Sequence, residues 1–448
     1  MKIKLLLLVL LSLLLTTGGA CMKSVSSLTP VPTPVPDTQP SASSTLQPEG
    51  TTAKSLKIGV VLYEGGGVQL DMLRSVQLMA ETDNQNGGLD IGGEKYKVEI
   101  LPYDTNGIQA TEVAAVNRLI FEDKVKYIMS DGLGIGSWLA VSEANKVLVG
   151  SLVPVPQLTL MPNLQYSFHP FSQNSLGSVV IGWFCKNYPD LAKNYVLALP
   201  DNQGGRMVSG MIEAGWKAFG VTPMMEFYPA SATDLSSLGT KIKTLNPGAF
   251  GAAAGGASDG LAIKAVWQAG YRGQIFVNTG VTALSLSQTV PPEALDGLIN
   301  AAWATEFDTP PTQAAQEFKD AWIAKYGKWE SPEVVGTCYY ACMKTALKQA
   351  KSVDTDKVAE VIFNGLKYEG PTGFFQMVSR PDIGNDRTVD SITAAYVKQI
   401  KGGKPTLLAT IGIDEGMTYF QQMLTSAPPM PAGPPPDSAP GGTPSGSP

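Results

Sequence analysis

The stretch Lys126–Ser151, KYIMSDGLGIGSWLAVSEANKVLVGS, decides how the chain is read. Tyr127-Ile128-Met129 is a short apolar run of the kind a fully buried strand shows. Gly132, Gly134 and Gly136 then open a tight turn, Ser137 to Asn145 follows as a short helix, and Val147-Leu148-Val149 is a second strand. A strand entering a helix through glycines is the start of a βαβ unit, and loops at the carboxyl ends of its strands hold ligands. Glycine lets backbone N–H groups come close to a ligand, and a helix N-terminus favours a negative group there. The reading is of a small-molecule receptor rather than an enzyme.

The same alternation continues on both sides. Leu56 to Leu62 is a first strand, and Leu70 to Asn86 a helix with Leu73, Val76 and Ala80 on one face. Asn86-Gly87-Gly88 ends it, as glycine at a left-handed cap does. Tyr96 to Leu101 alternates as a strand, and Thr111 to Phe121 carries Val113, Val116 and Ile120 along one face of a helix. After a bend marked by Pro154, Pro156, Pro162 and Pro170, a second series begins. Helices are expected over 178–188, 207–219, 235–245 and 261–269, and strands over 195–199, 223–228, 250–254 and 274–277. This is an α/β pattern of parallel sheets covered on both faces, in two lobes with a cleft between them.

Composition narrows the function. A chain of 448 residues with 44% hydrophobic content fills more than one core. A formal charge of −6 lacks the basic face a nucleic acid needs. The one histidine, His169, precedes Pro170 and reads as a loop residue, so a histidine-based zinc site is excluded and no metal or cofactor is expected. Cys185, Cys338 and Cys342 are an odd set within the folded part. Cys338 and Cys342, four apart on one helical face, pair only with strain and read as buried free thiols.

Lys2 and Lys4, the apolar run Leu5 to Leu15 and the small residues up to Ala20 form a signal peptide over 1–21. Residues 22–55 hold Pro30, Pro32, Pro34, Pro36 and Pro40 among serines and threonines, an extended linker. Residues 427–448 repeat that composition as an expected disordered tail. The residues before Cys21 resemble a bacterial lipobox, with Gly18 where that motif usually has leucine. The resemblance implies that Cys21 is lipidated and holds the protein at the cell membrane on its extracytoplasmic side.

Asn86-Gly87-Gly88-Leu89, Gly92-Gly93 and Val98 to Asp104 resemble the leucine/isoleucine/valine-binding family of extracytoplasmic solute receptors. So do the glycine-rich unit, Gln165-Tyr166-Ser167-Phe168, Asp201 to Gly205, Thr233 to Leu238, Gly255-Gly256 and Gly370 to Gly373. The similarity runs from about Leu56 to about Asp414. It implies the type I periplasmic-binding-protein fold: two doubly wound parallel-sheet lobes joined by a three-strand hinge, interleaved as 56–172 plus 303–376 and 173–302 plus 377–415. It further implies a monomer that closes on a small-molecule solute and docks on the permease of an ABC importer. A sensor passing the closed state to a signalling partner is the alternative reading.

Carried over residue by residue, the family's carboxylate-binding serine falls at Leu133, between Gly132 and Gly134. Its next loop falls at Val155, Pro156 and Gln157. A tyrosine is replaced by Gly204, a second by Ala257, and the acidic residue that neutralises an α-ammonium falls near Thr279 or Gly280. The remaining cleft candidates are Tyr63, Glu64, Gly134 to Ser137, Gln157, Asn202, Ser258 and Asn278. Burying an ammonium or a carboxylate without partners is expensive, so these departures imply a ligand larger or less charged than leucine. Trp138, early in an apolar helix, is expected in the core rather than stacked on a ligand. Enzyme readings find little support. The third glycine of Gly132-Leu133-Gly134-Ile135-Gly136 comes one residue early for a dinucleotide loop, and Trp138 after Ser137 breaks the nucleophile-elbow pattern.

Overall fold

The computed structural model describes residues 53–65, 67–131, 134–152, 156–253, 257–278 and 282–426. Cys21, Gly132, Leu133, Val155 and Thr279 lie outside the described residues, as do the expected signal peptide and tail.

Five strands of the first sheet run parallel. β1 (Lys54–Leu62) is buried on both faces over its second half, so it occupies a central position. It pairs in parallel with β3 (Glu94–Asp104) on one side and β4 (Tyr127–Ser130) on the other. β5 (Leu148–Ser151) and β6 (Ser167–Phe168) continue the parallel array. β2 (Leu89–Ile91) joins β3 as an antiparallel hairpin, giving the order β2-β3-β1-β4-β5-β6. Helix α1 (Gly67–Gln85) ends at Gly87 and Gly88, whose φ values of 92° and 84° are the left-handed cap expected of Asn86-Gly87-Gly88. Helix α2 (Gln109–Phe121) turns Ala115, Val116, Leu119 and Ile120 inward.

The helix expected over Ser137–Asn145 is in two pieces. Ile135–Ser137 forms a 3-10 turn and α3 spans Leu139–Ala144, because Trp138 sits at φ −130° between them. The Pro-rich bend also contains α4 (Pro156–Thr159) and β6, which have no apolar period long enough to register.

A second sheet has the order β16-β15-β11-β10-β9-β7-β8. Its parallel part is β7 (Tyr195–Asp201), β8 (Met224–Pro229), β9 (Ala249–Ala252), β10 (Gln274–Val277) and β11 (Ile299–Ala302). Between them run α5 (Gln173–Asn187), α6 (Pro189–Ala192), α7 (Gln203–Ala218), α8 (Ser236–Leu245), α9 (Ala257–Gln268), α10 (Ala283–Ser287) and α11 (Pro292–Leu295). Stacked rings lock this core: Tyr195 on Trp216 at 4.1 Å and Phe184 on Phe276 at 3.9 Å.

The chain passes between the halves at three places. It leaves β6 through His169–Ser172 into α5, and it leaves β11 through the turn Ala304–Glu306 into α12 (Gln313–Tyr326), α13 (Gly336–Ala350) and α14 (Thr355–Phe363). Helices α12 and α13 pack on α1, so the chain has returned to the first half. An antiparallel trio of β12 (Lys367–Gly370), β13 (Gly373–Arg380) and β14 (Asn385–Thr393) follows. β15 (Ala395–Lys401) and β16 (Lys404–Ile411) then extend the second sheet, and α15 (Ile413–Ser426) packs on α5 and α7.

Buried charge is concentrated at these passages. Arg380, 2% exposed, donates to Asp390 at 2.6 Å and to both oxygens of Asp382 at 2.6 and 2.7 Å. His169 lies in irregular backbone, as a loop residue should, yet it is buried. Its Nε2 meets Thr159 Oγ1 at 2.6 Å and its Nδ1 stands 3.5 Å from Asp390. At the second passage Lys398 and Glu306, both fully buried, form an ion pair, and Trp303 packs edge-on against Phe171 at 5.1 Å.

Candidate functional site

The carboxyl ends of the first sheet meet the N-termini of the helices that follow them. Tyr63, one residue past β1, donates its backbone N–H to Asp131 Oδ2 at 3.0 Å. Glu64 donates its N–H to Asp104 Oδ1 at 3.1 Å. These bonds tie the β1 loop to the ends of β3 and β4, and leave both side chains half-buried at the sheet edge. Gln157 is half-buried on α4 at the same edge.

Beside them is a pocket of about 310 Å³ lined by Gly107, Gln109, Glu112, Gly134, Gly136, Ser137 and Leu158. Two of the sequence candidates, Gly134 and Ser137, meet here. Ser137 is exposed, and its hydroxyl closes the turn by donating to the Gly134 carbonyl at 2.7 Å. Gly134 has a steric reason: a Cβ there would stand 2.3 Å from Glu112 Oε2.

Glu112 is the residue the sequence reading missed. It occupies the first turn of α2 and is 2% exposed. The Trp138 indole N–H donates to its Oε1 at 2.8 Å. Burial raises its pKa, while the Trp138 bond and the Gly134 backbone bond oppose that and the Asp131 charge reinforces it. The signal was available: Glu112, Val116 and Leu119 share one helical face, so an acid stands in line with buried apolar residues. Trp138 is fully buried in a cluster with Val116 and Ile135, as expected, and its polar edge is committed to Glu112.

On the second sheet the candidates occupy separate strand ends. Asn202 caps α7, its Oδ1 accepting from the Gly205 N–H at 2.8 Å. Gly204 lies in the first turn of that helix. Ala257 and Ser258 open α9, with Ser258 exposed. Asp259, the next residue, is fully buried and was not among the candidates. Asn278, just past β10, is 3% exposed, and its side-chain oxygen has no hydrogen-bond partner among the described residues. No cluster of histidine, cysteine and acidic residues among the described residues is placed to hold a metal ion.

The family model for periplasmic binding proteins matches residues 55–404, most of the chain and nearly all of both sheets. The chain belongs to the periplasmic binding protein family. Its two parallel-sheet lobes are those of the type I fold. No curated protein sequence matches it significantly. Among solved structures it is similar to the leucine-binding protein LivK of Thermotoga maritima, at 20% identity and a TM-score of 0.63, over 80% of this chain and 99% of that one. It is similar to LivJ of Streptococcus pneumoniae, solved with isoleucine, at 18% identity and 0.62, over 80% and 99%. A solute-binding protein of Rhodopseudomonas palustris solved with benzoate matches at 14% identity and 0.61, over 80% and 97%. Membership of this binding family implies a small-molecule ligand and an extracytoplasmic location. Among the described residues no helix is long and apolar enough to cross a membrane.

Proposed function

We propose that the protein is the solute-binding component of an ABC importer, capturing an amino acid or related small organic solute and delivering it to a membrane permease. The observation that carries this reading is the 310 Å³ pocket at the carboxyl edge of the first sheet, within the size range of small-molecule sites. In this reading residues 56–172 plus 303–376 form one lobe and 173–302 plus 377–415 the other. The strand-end loops, including Tyr63, Glu64, Gln157, Asn202, Ser258 and Asn278, close on the solute from both sides. Contacts made only in the closed form shift the population toward it. Cys21 carries the lipid anchor and the receptor works as a monomer, with no bond made or broken in the solute.

A thermal-shift screen of the purified protein with amino acids, amides, short peptides and aromatic acids tests it. A ligand present at a hundred times its dissociation constant stabilises by about 2.7 kcal/mol. Small-angle scattering on the hit should show a more compact particle. Absence of any stabilising solute, or chemical turnover of one, defeats the proposal. Recovery of a histidine kinase instead of a permease from membranes would move the reading to a sensor.

A further inference from the structure

Glu112 is an uncommon group to find in the floor of a pocket. Its carboxylate is 2% exposed and accepts from two neutral donors, the Trp138 indole at 2.8 Å and the Gly134 backbone. Among the described residues no lysine or arginine forms an ion pair with it. A carboxylate can accept about four hydrogen bonds, so two donors leave accepting capacity on Glu112. The Asp131 carboxylate adds negative charge to the same corner. A buried anion held by neutral donors alone is costly, and a cation brought into contact with it offsets that cost.

The rest of the pocket has a different character. Leu158 lines it and is 48% exposed. Gly134 and Gly136 keep the wall free of side chains, so a ligand can approach the backbone.

We propose that this pocket takes a small organic cation, its ammonium or amidinium group on Glu112 and its apolar part against Leu158. The inference rests on the solute-receptor reading and names the class of solute. Ion pairing at a buried site is where charge complementarity discriminates between otherwise similar ligands.

Matched probes test it on the purified protein. They are 3-methylbutylamine against 4-methylpentanoate, and 2-phenylethylamine against 3-phenylpropanoate, each read by calorimetry and thermal shift. The amines are expected to bind and the acids not to, with Glu112→Gln weakening amine binding at least tenfold. The indole N–H of Trp138 gives an independent reading in the unmodified pocket. Its NMR signal, assigned by loss in Trp138→Phe, should move on adding amine, whether or not Glu112→Gln folds. Binding of the acids in preference to the amines, unchanged amine affinity in folded Glu112→Gln, or an unmoved Trp138 signal overturns the inference. If neither amine binds while another solute stabilises the protein, the inference fails and the receptor reading stands. If no solute stabilises it, the receptor reading fails first.

Discussion

Replacing Arg380 by methionine should be among the most damaging single changes available outside the apolar cores. The guanidinium holds two carboxylates that differ in their access to water. The Asp382 side chain is 12% exposed and can rehydrate, but Asp390 is completely buried. Without Arg380, Asp390 keeps, among the described residues, the Ser172 hydroxyl at 3.3 Å, the Ser391 N–H at 2.9 Å and His169 at 3.5 Å. Leaving a buried charge unpaired costs about 3–5 kcal/mol. A second route to the magnitude comes from titration. Burial pushes the Asp390 carboxyl up, but His169 and Arg380 outweigh it and hold the group at about 2 against an ordinary 3.8. That difference corresponds to roughly 2 kcal/mol at neutral pH, with His169 and Arg380 sharing it. Because the folded value is the lower one, this stability is fully present above pH 3.8 and is lost as pH falls through about 2. The assay is urea unfolding followed by circular dichroism at pH 7, on the parent, Arg380→Met and Arg380→Met/Asp390→Asn. The single variant should lose about 3–5 kcal/mol, and the double variant should recover more than half of it because no buried charge is left. A single variant within about 1 kcal/mol of the parent, or a double variant worse than the single, would refute the reasoning.

Other consequences can be checked with the same material. Gly134→Ala places a methyl 2.3 Å from Glu112 Oε2, so overpacking should cost about 1–3 kcal/mol in denaturant titration; a neutral variant would mean Glu112 does not hold that position. Burial, reinforced by the neighbouring Glu306 and opposed by the Val335 N–H and Trp303 indole, raises the Glu333 carboxyl from 4.5 to about 7. Its folded value is the higher one, so its contribution is fully present below pH 4.5 and is lost as pH rises through 7. Glu333→Gln should therefore remove up to about 3 kcal/mol of the parent's decline in stability between pH 4.5 and 8, and parallel pH profiles would contradict it. Cys338 is pushed up to about 12 by burial and Cys342 is raised well above its ordinary value, so neither thiol should react with Ellman's reagent at pH 8 before unfolding. Rapid labelling of the native protein at either position would count against their burial.

Most of the framework was legible because its elements are long and periodic. The first strand, the helix over Leu70–Asn86 with its Gly87-Gly88 stop, and the alternation through Val277 all stand within a few residues of their expected positions. What escaped has identifiable causes. The helix after Gly136 broke in two because period alone does not report the φ of −130° that Trp138 adopts. The two-residue strand at Ser167–Phe168 is too short for any alternation to show. Its partner β5 fixes it in the sheet, and partners of that kind are invisible in a linear reading. His169 illustrates the same limit. Its backbone is irregular as expected, but its burial depends on Thr159 and on Asp390, which is 221 positions further along the chain.

The candidate site was legible in its backbone and opaque in its charges, for a physical reason. Glycines announce the places where main chain must come close to something, and Gly134 does so against Glu112 Oε2. They do not say what that something is. An acid on an exposed helix face and an acid on a buried one carry the same letter, and only the apolar residues in line with it distinguish them. Glu112 has Val116 one turn on and Leu119 beyond it, both completely buried. That alignment required either a burial penalty or a dedicated donor, and the structure supplies the donor from Trp138, 26 positions away. The departures at Leu133, Val155 and Thr279 concern positions where the expected side chains are missing, and they argue about what a ligand loses. Glu112 concerns a side chain that is present and buried at a pocket wall, and it bears on what a ligand gains. The second kind of observation limits ligand chemistry more tightly, because an anion with unused lone pairs admits few classes of partner, whereas a missing hydroxyl admits many.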